Sequence, residues 1–142
     1  MNEAAQQQQQ QEAMTQFETG ATRSNDAGKI DPEGFLSPLV IKRFSDYLNK
    51  HRIQADGKPR ESDNWQKGMP RPRYIKSAWR HFLNWWSLHR GWPPTSDEDI
   101  EEAICAVIFN AQGYLHEHLK EKLALQRIAQ EGNTANLEAR IR

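Results

Sequence analysis

The strongest constraint on this chain is the apolar period between Tyr74 and Arg90, where Ile75, Ala78, Trp79, Phe82, Leu83 and Trp86 recur at i, i+3, i+4, i+7, i+8 and i+11. That spacing gathers the side chains on one stripe of an α-helix and fits no strand face. Gly91 follows as a helix-ending glycine, with Pro93 and Pro94 just beyond. The pattern therefore predicts a helix from about Arg73 to Arg90 whose stripe belongs to the core. The segment is also dense in indole: four of the five Trp lie between Trp65 and Trp86, and Trp92 comes next. Core packing accounts for the stripe. It leaves over Trp65, on a loop, and Arg80, His81 and Trp85, beside the stripe.

Two further helices are legible. Ser37 suits an N-cap and Pro38 the first helical position, where a missing N–H costs nothing. Val40, Phe44, Tyr47 and Leu48 then follow helical spacing. A third helix is predicted from Thr95 or Ser96, where capping-box spacings and an acidic first turn coincide. Ile100, Ile104, Val107, Ile108, Ala111 and Leu115 form its core face, and the pattern persists to about Leu125. No run has strand alternation. The fold class expected is all-α: a small bundle of three to four helices. A long structured loop spans residues 55–72, and the Gln-rich N-terminus is disordered. Residues 1–18 are read as a low-complexity tail, 19–125 as one helical domain and 126–142 as a polar C-terminal tail.

The 19 basic and 19 acidic residues cancel, so no global field recruits nucleic acid. Locally the charge is uneven, with Lys/Arg prevailing from Arg60 to Arg90 and acids from Asp97 to Glu102. The single cysteine, Cys105, sits in an apolar run and reads as a small buried hydrophobe. Neither a signal peptide nor a membrane-length apolar run is visible, and the expected location is the cytoplasm.

At 100° per residue, Asp99, Glu102, Ala106, Asn110, Gly113 and Glu117 share a narrow stripe beside the apolar face of the third helix. Two readings fit it: a small-residue seam for close helix packing, with Asn110 hydrogen-bonded in the interface, or a ligand site built where side chains are small. His81 and Trp85 lie on one flank of the preceding helix. His81 suits a structural hydrogen bond, a proton transfer or a phosphate contact, and Trp85 suits a stacked base or a subunit interface. Lys29 and Arg73 are cations on a loop and at a helix start.

The blocks Thr22–Lys29 (TRSNDAGK), Ser37-Pro38, Asp63–Gly68 (DNWQKG), Ala78–Trp85 (AWRHFLNW) and Asp99–Asn110, taken in order, resemble a phage-encoded family. It is the family named for the N-terminal domain of dATP/dGTP diphosphohydrolase, and the resemblance covers roughly residues 20–120. It implies hydrolysis of purine deoxynucleoside triphosphates to monophosphate and pyrophosphate, in the manner of the all-α MazG-like pyrophosphohydrolases. Those enzymes hold Mg²⁺ or Mn²⁺ with carboxylates on paired helices. Carried onto this chain, Glu98, Asp99 and Glu102 would hold the metal, and Asn110 would orient a ligand or a metal-bound water. His81 would move a proton, Lys29, Arg73 and Arg80 would neutralise phosphates, and Trp65 or Trp85 would stack on the base. A homo-oligomer is expected to complete so shallow a site. Where the MazG-like pattern has E-x-x-E on one helix and E-x-x-D on another, this chain has Glu98-x-x-Glu101 and Asp99-x-x-Glu102 in one turn and no E-x-x-D. The competing expectation is a non-enzymatic accessory protein that binds a protein partner through its Trp-rich face. Single-stranded nucleic-acid binding uses the same residues, and zero net charge disfavours it.

Overall fold

The computed structural model describes residues 14–26 and 28–141. The Gln run of residues 6–11 lies outside them. The chain is mostly helical, as the apolar periods require, and divides into two compact units that meet between Ser37 and Pro38.

In the N-terminal unit a small hairpin pairs β1 (Met14–Gln16) with β2 (Thr22–Ser24), in the register Met14↔Ser24, Thr15↔Arg23, Gln16↔Thr22. Met14–Gln16 thus form a strand inside the stretch expected to be a disordered tail. Three-residue strands with exposed side chains on both faces carry no alternation for a sequence reading to detect. Asp31 caps the four-residue α1 (Pro32–Phe35), its carboxylate accepting from the Gly34 N–H at 3.0 Å.

The second unit holds α2 (Pro38–Lys50), a 3₁₀ turn (Asn64–Lys67), α3 (Arg71–His89) and α4 (Ile100–Ile141). α2 lays Phe44 and Tyr47 against Cys105 and Ala106 of α4, with Leu48, Ile108 and Phe109 around them. Cys105 is buried, as its apolar context predicts. The loop after α2 is ordered by the Arg60 N–H donating to the Arg52 carbonyl, by Arg52 Nε donating to the Arg60 carbonyl, and by Trp65, which meets His116 of α4 edge-on at 4.7 Å. α3 starts two residues earlier than expected, with Pro72 in its first turn. It ends in a Schellman motif: Gly91 takes φ +69°, its N–H donates to the Leu88 carbonyl, and the Trp92 N–H donates to that of Ser87.

α4 departs from expectation at both ends. It begins at Ile100, not at Thr95 or Ser96, because Thr95 to Glu98 are drawn into bonds with α3 and the cap passes to Asp99. It continues to Ile141, well past Leu125, a length of roughly 63 Å at 1.5 Å per residue. Leu119, Leu123, Leu125 and Ile128 along its later turns are exposed.

The largest departure concerns which faces pack. α3 turns Tyr74, Ser77, Ala78, His81, Asn84, Trp85 and Leu88 inward to varying degrees. Of the stripe expected to be core only Ala78 is half-buried, and the rest is exposed: Trp79 by 63%, Ile75 by 50%, Trp86 by 48%, Leu83 by 47% and Phe82 by 37%. α4 repeats the inversion only in part, since Ile104, Val107 and Ile108 of its expected core face are half-buried. Ala103, Ala106, Asn110 and Gly113 are buried, while Ile100 and Leu115 of the expected core face are exposed. The reason is steric. Small residues let two helix backbones approach closely, and Tyr74 lies so tightly over Gly113 that a Cβ there would collide with the edge of its ring.

Candidate functional site

The α3–α4 seam is organised by Asn84, which is fully buried. Its Oδ1 accepts from the backbone N–H of Thr95 at 2.8 Å and of Ser96 at 3.3 Å, and its Nδ2 donates to the Glu98 carbonyl at 3.0 Å. One side chain thereby ties the α3–α4 connection to the middle of α3. Beside it, His81 Nδ1 lies 2.8 Å from Glu98 Oε2. A carboxylate can only accept, so Nδ1 carries the hydrogen and Nε2 is the free ring nitrogen. The Ser96 hydroxyl also reaches Glu98 Oε2 at 3.3 Å. Arg80, His81, Leu83, Thr95, Ser96 and Glu98 line an open cleft of about 390 Å³.

Arg80, His81 and Glu98 are therefore brought together. The other candidates of the second unit are not gathered with them. Asp99 is the N-cap of α4, its Oδ1 accepting from the Glu102 N–H at 2.8 Å. The spacing Asp99-x-x-Glu102, which resembles a carboxylate pair for a metal, is here the spacing of a helix cap. Glu102 is ion-paired with Lys50 of α2, and Glu101 with Arg43 Nε at 2.6 Å. Among the described residues no three His, Cys, Asp or Glu side chains converge as a metal site requires. As arranged, Glu98, Asp99 and Glu102 do not fit a shared Mg²⁺ or Mn²⁺. Asn110 is buried and its Nδ2 donates to the Ala106 carbonyl of its own helix at 2.8 Å. Trp65 is committed to His116. Trp85 packs edge-on against Phe82 at 5.6 Å. Arg73 is exposed at the start of α3, and Arg80 Nη2 reaches the Ser77 hydroxyl at 3.4 Å. Lys29 belongs to the N-terminal unit, where its ammonium donates to Ser24 Oγ at 2.8 Å and lies 3.4 Å from Asp26.

Asn84 is the residue that sequence reasoning missed. Its signal was present: it lies three residues after His81, and an Asn in a helix interior has poor propensity, the same argument that drew attention to Asn110. Lys50, which takes Glu102, had no such signal, because only the packing of α2 on α4 brings it near.

Burial tunes two groups around the α2–α4 contact. It pushes the Tyr47 phenol up to about 12, with the carboxylates of Glu98 and Glu102 adding to the effect. It also pushes the Cys105 thiol up, so the sulfur is held as an unreactive thiol.

No protein-family model matches the chain, and neither a curated protein nor a solved structure matches it. No helix among the described residues is long and apolar enough to cross a membrane.

Proposed function

We propose that this protein is an interaction module that docks a protein partner on the apolar face of α3. The observation that carries the reading is the exposure of Trp79 and Trp86 on a helix whose opposite face is already packed. Interfaces are enriched in Trp and Phe, and a contiguous aromatic patch on a surface costs solubility unless something covers it. Trp79, Phe82 and Trp86 hold one another, with ring centroids 5.9 and 6.4 Å apart, so little side-chain freedom is lost when a partner arrives. A photo-crosslinking residue at position 79 is expected to capture protein in cells, and one at the buried position 110 is not. No capture from position 79 overturns the reading.

A second reading keeps one observation of its own. The Arg80–His81–Ser96 cleft is large enough for a phosphate-bearing ligand, and hydrolysis of a purine deoxynucleoside triphosphate there would use His81 Nε2 toward the phosphates. Glu98, on the cleft wall, opposes an anion. Incubation with each deoxynucleoside triphosphate and Mg²⁺ or Mn²⁺, followed by pyrophosphate detection, decides between the two. Release that disappears in His81→Ala favours the enzyme; no release with any of the four leaves the docking reading.

A further inference from the structure

We infer that the partner covering the apolar face of α3 is a second copy of this chain, related by a two-fold axis that crosses α3 near its middle. The inference rests on the docking reading above and adds the identity of the occupant.

The first argument is the shortage of interior. Among the described residues the buried apolar side chains are Phe44, Tyr47, Tyr74, Ala103, Cys105 and Ala106, and no Leu, Ile or Val is among them. A unit of about a hundred residues ordinarily buries several branched aliphatics. Here Leu48, Ile104, Val107 and Ile108 are only half-buried, and Ile75 and Leu83 of α3 lie outside. Covering such a face adds apolar burial that the single chain lacks. Only another copy is present at the chain's own concentration every time it is made.

The second argument is charge. The five stripe positions Ile75, Trp79, Phe82, Leu83 and Trp86 carry no ionisable group, so the contact buries no charge, and the cations of α3 (Arg71, Arg73, Lys76 and Arg80, with no Asp or Glu among them) stand at its rim, where water screens them. The chain's formal charge is zero, and two copies do not repel at long range.

The third argument is area. Aromatic side chains bury about 150–250 Å² each, so the three rings and two aliphatics, roughly half exposed, present on the order of 500 Å² of apolar surface. A stable interface covers about 800 Å² per partner, of which roughly 65% is apolar in homodimers, or about 520 Å². The stripe supplies what one side of such an interface needs. Two-fold symmetry makes the contact self-complementary. With α3 crossing α3 antiparallel, Trp79, Phe82 and Leu83 lie at the axis, and Ile75 of each copy meets Trp86 of the other.

The test is sedimentation velocity on the full chain, with tryptophan emission followed on dilution. At micromolar concentration the expected species has twice the 16.5 kDa chain mass, and emission shifts to the red as it dissociates. Leu83→Glu is expected to weaken association by about 100-fold, since each dimer would bury two unpaired carboxylates. Leu123→Glu, on an exposed later turn of α4, is expected to leave it intact. If Leu83→Glu loses its helical circular dichroism, the wild-type dilution series still decides. A monomer up to hundreds of micromolar overturns the inference, and position 79 crosslinking to another protein then keeps the docking reading alive. A dimer that survives in folded Leu83→Glu with unchanged emission also overturns it, because the contact then lies elsewhere. No crosslink from position 79 to any protein removes both readings.

Discussion

The two faces of α3 invert the usual assignment of residues to interior and surface. The face against α4 is made of Tyr74, Ser77, Ala78, His81 and Asn84; the opposite face is Ile75, Trp79, Phe82, Leu83 and Trp86. The first is held by specific hydrogen bonds and by close backbone approach. The second offers transfer free energy to whatever covers it, about 25 cal/mol per Å² of apolar area. A chain that packs Ser77, His81 and Asn84 inward has placed geometry where polar bonds must be satisfied and left its aromatic stripe exposed. The two faces should therefore fail differently: substitutions in the seam unfold the unit at any concentration, whereas substitutions on the stripe act through association.

The largest effect on folding is expected at Asn84. Asn84→Ala leaves the Thr95 and Ser96 N–H groups and the Glu98 carbonyl without their partner, at about 1–3 kcal/mol for each group that stays buried. Urea denaturation should show a loss of about 2–5 kcal/mol that does not depend on protein concentration. A loss that vanishes at high concentration would mean the seam is not independent of the outer face.

Next comes the α2–α4 contact at alkaline pH. Tyr47 is an acid held neutral by burial, and its value rises from an ordinary one near 10 to about 12 on folding. Between these values the folded chain retains a proton that the unfolded chain has released. The contribution is therefore fully present below pH 10 and is lost as pH climbs through 12. The corresponding change is on the order of 2 kcal/mol, at about 1.4 kcal/mol per unit. Tyr47→Phe should flatten that limb of a stability–pH profile, and an unchanged slope would show that the phenol ionises freely.

Gly113→Ala comes third. The added methyl collides with the Tyr74 ring, and overpacking costs about 1–3 kcal/mol, against at most about 1 kcal/mol gained in helix propensity. A net loss is expected by thermal melting. Tyr74→Leu in the same background should recover part of it, which separates steric conflict from a general intolerance.

The smallest effect distinguishes a cap from a metal ligand. Asp99→Ala should cost about 1 kcal/mol, and Asp99→Ser should restore most of it, because a hydroxyl also accepts from the Glu102 N–H. A metal ligand would not be rescued by Ser, and titration calorimetry with Mn²⁺ would then register the difference.

The helices were legible because their signals are local. The period of α3, Gly91 at its end and Pro38 at the start of α2 each act within a turn or two. The buried cysteine was legible from its apolar neighbours. The small-residue stripe of α4 was recognised as a possible seam, and that is how Ala106 and Gly113 are used. The start of α4 was misread because Thr95 and Ser96 cap well in isolation, yet their N–H groups are taken by Asn84 from another helix. Of the candidate site, only Arg80, His81 and Glu98 come together. Asp99, Glu102 and Trp65 each have another partner that no spacing rule reveals.

By itself the sequence determined that α2, α3 and α4 form, where α3 stops and which side chains each helix aligns, since these follow from backbone geometry within a few residues, whereas both ends of α4 did not follow from it. Only the tertiary structure decided which aligned face turns inward. That choice depends on how closely two backbones can approach, and here Gly113 beneath Tyr74 and the bonds of Asn84 favour the small, polar faces. The apolar stripe that the sequence displays so plainly stays on the surface of the single chain.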